Sequence, residues 1–109
     1  MSNRVNINGV EVSTDHYIDG KRVSSEKKFS VINPNNPNEV LAKVSRGDNA
    51  IAQLAVDAAR NGFNVWSKMT VDERSHIMHK LADLIESRVD EISLIECLDM
   101  GMRHESLRN

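Results

Sequence analysis

The sequence contains one cysteine, two prolines, one tryptophan, one tyrosine and two phenylalanines in 109 residues. A lone Cys97 excludes an internal disulfide and a zinc site built from thiolates alone. With so few aromatics and 39% apolar residues, any core is aliphatic and modest, and a chain of this length is poorly supplied to stand by itself. No apolar run approaches the roughly 20 residues that span a bilayer. The polar start Met1-Ser2-Asn3-Arg4 is not followed by the apolar stretch of a signal peptide. An excess of one charge is also missing: the formal net charge is −2, with both signs interspersed. That leaves no basic face for nucleic acid and no polybasic segment for a membrane, so neither partner is expected and the cytoplasm is the expected compartment. No period of 20 to 50 residues repeats, and no segment is low in complexity.

What is present is a series of short strand signals. Val5 to Val12 alternates apolar and polar residues about Asn8-Gly9, a dipeptide suited to a two-residue type I′ turn. Tyr17 to Val23 repeats the pattern about Asp19-Gly20, predicting a second hairpin. Ser24 to Lys28 reads as a solvated polar connector. Phe29 to Ile32 is the next strand, ended by Asn33-Pro34-Asn35-Asn36-Pro37-Asn38, where regular structure stops. Glu39 to Val44 returns as a strand with Val40, Ala42 and Val44 on one face. Asp48 is placed to cap a helix whose inward stripe is Ile51, Ala55, Ala58 and Gly62. Phe63, Val65 and Trp66 add bulk where that helix runs out.

The segment from Thr70 to Gly101 predicts one long helix. The pair Thr70 and Glu73 forms a capping box, with the Glu73 carboxylate reaching back to the Thr70 amide. Asp72 and Glu73 favour the positive pole of the dipole, and Gly101 suits the left-handed stop. Its apolar period runs through Ile77, Leu81, Leu84, Ile85, Ile92 and Ile95. At about 100° per residue, Asp99 points the same way as Ile92 and Ile95. Either that carboxylate is aimed inward and needs donors, a basic side chain or a cation, or the helical phase drifts at Ser87 to Asp90 and Asp99 edges into water.

The pieces Tyr17-Ile18-Asp19-Gly20-Lys21-Arg22-Val23, Phe29 to Ile32 with Asn33-Pro34, Glu39 to Val44, Asp72-Glu73-Arg74 with Leu81-Ala82-Asp83-Leu84-Ile85-Glu86, and Glu96-Cys97-Leu98-Asp99-Met100-Gly101 together resemble the start of NAD(P)-dependent aldehyde dehydrogenases. None is diagnostic alone; it is their order and spacing from Tyr17 to Gly101 that carry the resemblance. It implies an α/β fold, here its N-terminal part: short β-hairpins and a strand pair followed by two long helices. Residues 1–16 are then an N-terminal extension that could be mobile, and residues 17–109 an incomplete N-terminal portion of the cofactor-binding domain.

The activity implied is oxidation of an aldehyde to a carboxylate with NAD or NADP, in an enzyme that is a homo-oligomer when complete. The family's glycine-rich cofactor turn, activating glutamate and nucleophilic cysteine lie beyond the residues present. The chain is therefore expected to be an N-terminal fragment, inactive alone, with Arg103 to Asn109 reading as a helix cut without a stop signal. In some members a potassium or sodium ion is held by strand carbonyls and an aspartate, and the matching positions are Val31, Ile32 and Asp99. Many members follow the matching glycine with lysine and proline, where this chain has Met102-Arg103, which leaves the substrate class open.

Cys97 is not the matching nucleophile: no such motif surrounds it, and the negative end of a helix raises a thiol's pKa. His76 with Lys80, and His79 with Asp83, have the four-residue spacing of exposed helix pairs. His16 and His104 complete the histidines, and no metal-binding spacing joins them. Two other classes remain for comparison. A helix-turn-helix module is disfavoured by the acidic balance. A short regulatory or interaction module that docks on a full-length dehydrogenase shares every sequence feature of a fragment.

Overall fold

The computed structural model describes residues 3–102. The predicted Arg103 to Asn109 helix end, His104, and the first two residues lie outside that range. Among the described residues, six strands are arranged as three separate antiparallel pairs, and three helices follow.

The first pair is β1 (Arg4–Ile7) with β2 (Val10–Ser13), and the second is β3 (His16–Ile18) with β4 (Lys21–Val23). Both turns follow from the predicted dipeptides. Asn8 and Gly9 have φ of 49° and 91°, and Asp19 and Gly20 have φ of 53° and 70°. Positive φ at both central residues matches the twist of the flanking strands. The expected extension thus carries the whole first hairpin and the first residue of β3. Across the second hairpin, the Arg22 guanidinium stacks 4.7 Å from the centre of the Tyr17 ring.

The third pair joins β5 (Lys28–Ile32) to β6 (Val40–Ser45). Its register slips once: Val31 faces Ala42 but Ile32 faces Val40, which leaves Leu41 as the extra residue of a β-bulge. Strict alternation therefore fails. Leu41 and Ala42 are both half-buried, Val40 is exposed, and Val44 is half-buried. The expected single face of Val40, Ala42 and Val44 is broken by that inserted residue.

Helix α1 spans Asn49–Trp66, capped by the Asp48 carboxylate accepting from the Ile51 amide at 2.9 Å. It lies against β3. Of the expected inward stripe, Ile51 and Ala58 are half-buried, whereas Ala55 and Gly62 are exposed. One three-residue strand is too short to cover an 18-residue helix, so the stripe is covered only in part.

The predicted Thr70 to Gly101 helix is two helices, which corrects the count of long helices. Helix α2 is Val71–Ser87 and α3 is Val89–Met100. They meet at Arg88, with φ −119° and ψ 21°. Several local contacts favour a stop there. The Ser87 hydroxyl donates to the Leu84 carbonyl at 2.8 Å, and the Arg88 amide closes a tight turn onto the Ile85 carbonyl at 3.1 Å. Asp90 and Glu91 then fall in the first turn of a new helix, where the dipole favours acids. Capping of α2 also differs from the full box. The Thr70 hydroxyl accepts from the Glu73 amide at 3.1 Å, but Glu73 Oε1 takes its bond from that same hydroxyl at 3.0 Å and not from the Thr70 amide.

Side-chain burial is sparse. Among the described residues Cys97 is the only buried apolar side chain, and the other buried residues are Thr14, Ser45 and Ser93. The radius of gyration is 16.7 Å, against about 13 Å for a compact chain of roughly 100 residues. Apolar side chains on α2 are the clearest consequence: Ile77, Leu81, Leu84 and Ile85 are 42 to 54% exposed.

Candidate functional site

The C-terminal half of α3 faces the bulged strand pair and the first hairpin. Between them is a mostly apolar cleft of about 150 Å³. Ile95 and Leu98 form its helical wall, Val31, Leu41 and Ala42 its sheet wall, and Ile7 and Val12 of the hairpin its third side. The bulge lets adjacent residues Leu41 and Ala42 both reach it, a placement that strict strand alternation forbids.

Two carboxylates stand on this cleft, Glu96 and Asp99. They are three residues apart and so share a helical face. Asp99 is exposed, Ile95 is half-buried, and Ile92 is 47% exposed. Asp99 is on the same unbroken helix as Ile92 and Ile95 and shares the cleft with Ile95, so Asp99 and Ile95 point the same way. Asp99 is nonetheless exposed, because this side of the helix end is only partly covered, and it lies at the rim and not in a core. The fold brings Asp99 and Val31 to one cleft, while Ile32 is 46% exposed and is not part of its lining. Glu96 was not singled out by its sequence context; its spacing from Asp99 is the only signal that would have drawn attention to it.

Gly101 ends α3 with φ 78°, and its amide donates to the Cys97 carbonyl at 2.7 Å. The Asn35 side-chain amide donates to the Gly101 carbonyl at 3.1 Å, tying the asparagine-proline loop to the end of the helix. Within that loop the Asn33 carboxamide oxygen accepts from the Asn35 amide at 3.0 Å and its nitrogen donates to Glu39 Oε2 at 3.0 Å. The loop therefore positions the helix end beside β5.

Cys97 is one residue from this cleft but buried elsewhere, and burial pushes its thiol pKa up, with the Glu96 carboxylate adding to the shift. A raised thiol is a poor nucleophile. The helix pole proposed from sequence is not the leading cause. His76 and His79 are exposed on α2, and His16 Nε2 is hydrogen-bonded to Ser25 Oγ at 2.7 Å. Among the described residues, no group of three or more His, Cys, Asp or Glu side chains is gathered as a metal cluster. None of their helices is long and apolar enough to cross a membrane.

The connector expected to be merely solvated holds the strand pairs together. Asp15 accepts from the Asn3 amide at 2.8 Å and from the Asn3 side chain at 3.0 Å, and that side chain also donates to Ser24 Oγ at 3.1 Å. Lys28 donates to Ser24 Oγ at 2.9 Å and to Ser45 Oγ at 3.1 Å. The Asn3 amide, helped by the Asn3 and Ser24 side chains and the Lys28 charge, outweighs partial desolvation and holds the Asp15 carboxyl below its usual range.

Comparison with known proteins places this geometry. The profile of the aldehyde dehydrogenase family matches residues 21–109. The chain belongs to the aldehyde dehydrogenase family. A 5-carboxymethyl-2-hydroxymuconate semialdehyde dehydrogenase from Escherichia coli is 36% identical over 95 residues, which is 87% of this chain and 20% of that protein. The solved structure of a variant aldehyde dehydrogenase from Bacillus cereus superposes with a TM-score of 0.80 at 37% identity, covering 85% of this chain and 20% of that one. A second variant of the same enzyme gives 0.73 at 39% identity, over 79% and 18%. The chain thus spans about a fifth of the length of the dehydrogenases it matches, and its hairpins, strand pair and helices are the N-terminal part of their fold.

Proposed function

We propose that this chain serves as the N-terminal part of an aldehyde dehydrogenase that oxidises an aldehyde to a carboxylate with NAD or NADP. The observation that carries the reading is the continuous family match over residues 21–109, together with superposition on a fifth of a dehydrogenase. Residues 17–109 are read as the start of the cofactor-binding domain and residues 1–16 as an extension of it. When bound, the nicotinamide would accept the substrate hydride; no residue described here is assigned to hold it. The part played by this chain is structural, presenting the β5–β6 pair and α3 as a framework. A cytoplasmic, homo-oligomeric enzyme is the accompanying expectation.

A monovalent cation, potassium or sodium, is proposed at the end of α3, with the Val31 and Ile32 carbonyls and the Asp99 carboxylate as its ligands. Hard oxygen donors suit such an ion. The shared cleft of Val31 and Asp99 and the bulge that disrupts the ladder at Val31 and Ile32 support the fit. The exposure of Ile32 and its absence from the cleft lining weigh against it for that one residue.

A second reading is a short regulatory module that docks on a full-length dehydrogenase. The exposed stripe of Ile77, Leu81, Leu84 and Ile85 favours it. One experiment separates the two. The purified 109-residue chain is assayed for aldehyde-dependent reduction of NAD and NADP, alone and added to a full-length dehydrogenase expressed from the same source. The fragment reading expects no turnover alone and no effect when added. A saturable change in the full-length enzyme's rate supports the regulatory module, and turnover by the short chain, with contaminating enzyme excluded, overturns both.

A further inference from the structure

The β1–β2 hairpin precedes the family match, which begins at residue 21. Val5, Ile7, Val10 and Val12 share its half-buried face, and two of them, Ile7 and Val12, form one side of the cleft below α3. They are half-buried and lie near each other across the ladder, where Val5 pairs with Val12 and Ile7 with Val10. The tip of the hairpin, Asn8-Gly9, is exposed and secured by its own Asn6 side chain, which accepts from the Gly9 amide at 2.9 Å.

Its base is tied far more tightly. The Thr14 amide donates to the Asn3 carbonyl at 3.1 Å, and the Ser45 amide to the Thr14 carbonyl at 2.9 Å. Asp15 then takes two bonds from Asn3, one from the backbone and one from the side chain, and Asn3 takes a third hold on Ser24. Residue 3 and residue 15 flank the hairpin on either side, so closing them together fixes the angle at which the hairpin leaves the fold.

We infer that the β1–β2 hairpin is a flap over the α3 cleft, and that Asp15 is the positioning residue that latches its base through Asn3. Two independent observations combine here. The apolar contact runs along the hairpin, with Ile7 at its tip end and Val12 nearer its root, and the polar latch is at the root itself. Apolar cover alone is non-directional and a two-stranded hairpin is marginal by itself. The latch supplies the direction. With Asp15 and Asn3 joined, Ile7 and Val12 lie over Val31, Ala42, Ile95 and Leu98; with the latch broken, the hairpin pivots at Thr14 and opens the cleft to solvent. The inference concerns the chain as it stands and is independent of the cation proposed at Asp99.

Thiol labelling of the 109-residue chain tests it. In a Cys97→Ser background, Ala42→Cys places a reporter inside the cleft, and Ser30→Cys places one on the exposed side of β5. The flap predicts that Ala42→Cys reacts more slowly than Ser30→Cys, and that adding Asp15→Ala speeds the cleft reporter by on the order of tenfold, as expected for losing charge-assisted bonds, while the Ser30→Cys rate stays put. Asn3→Ala, which keeps the backbone donor, should give a smaller increase in the same direction; it also carries the test if circular dichroism shows that Asp15→Ala fails to fold. Equal labelling of the two reporters in the latched chain overturns the flap. Unchanged cleft labelling in the folded latch variants overturns the role of Asp15.

Discussion

The Asn35 side chain donates to the Gly101 carbonyl at 3.1 Å across 66 residues of sequence. Position 101 favours glycine for two reasons at this contact. Its φ is 78°, and a Cβ built there would sit 3.2 Å from Asn35 Oδ1 and 3.3 Å from Asn35 Nδ2. The loop and the helix end are thus fitted to each other by one hydrogen bond and one missing side chain. Gly101→Ala is expected to destabilise the chain by about 1 to 2 kcal/mol from left-handed strain. Asn35→Ala should cost roughly 0.5 to 1.5 kcal/mol for the lost bond. Urea unfolding of the two single variants and the double variant checks both, and the double should fall short of additivity because the residues touch.

Asp48 caps α1 through the Ile51 amide. Its replacement by Ala is expected to lower stability by about 0.5 to 2 kcal/mol, and Asp48→Ser should recover most of that. Loss of α1 helicity by circular dichroism without loss of strand signal would confirm that the effect is local.

Asp15 sets an acid limit. Its folded pKa lies below its unfolded one, with the Asn3 amide as the chief cause. Its contribution to stability is therefore complete above the ordinary Asp value of about 3.9, and is lost as pH falls through the lower folded value. Unfolding midpoints of the wild type and Asp15→Asn, measured from pH 6 down to pH 2 (~4 units spanning that range), should converge at the acid end. Parallel curves would contradict the assignment.

The apolar face of α2 should govern association of the isolated chain. Ile77, Leu81, Leu84 and Ile85 are about half exposed, so Leu81→Lys gives up little burial and should alter intrinsic stability by within roughly 0.5 kcal/mol. It should also raise solubility and shift sedimentation toward monomer. A wild-type chain that stays monomeric and soluble at high concentration would argue that the face is not a liability.

Asp99 should be tolerant in the short chain and demanding in a complete enzyme. It is exposed here, so Asp99→Ala should shift stability by less than about 0.5 kcal/mol, with no difference among potassium, sodium and a large organic cation. In a full-length dehydrogenase carrying this segment, the same change should cost roughly 3 to 5 kcal/mol if the site is dry and ion-filled, lowering stability more than activity. A full-length wild type indifferent to the cation would favour an arginine or amide partner for Asp99 over an ion.

The features readable from sequence alone are those whose causes lie within a few residues. Asn8-Gly9 and Asp19-Gly20 dictate their turns because those residues reach positive φ cheaply. Asp48, Thr70 and Gly101 mark helix ends because each supplies or permits a bond within one turn. The family resemblance is of the same kind, a set of local patterns in order, and the matched residues 21–109 agree with it. The break at Arg88 leaves little trace in the sequence, since Ser87 and Arg88 interrupt no apolar period; their hydrogen bonds and backbone angles end the helix. What only the tertiary structure decided depends on residues distant in the chain. The bulge at Leu41 arises from how β5 and β6 register. Asn3 meets Asp15 and Ser24, Lys28 meets Ser45, and Asn35 meets Gly101 because separate elements are brought together. The exposure of Asp99 belongs to this second group: helical phase within α3 sets it on the side of Ile95, but how far that side is covered depends on the strand pair and hairpin that pack there.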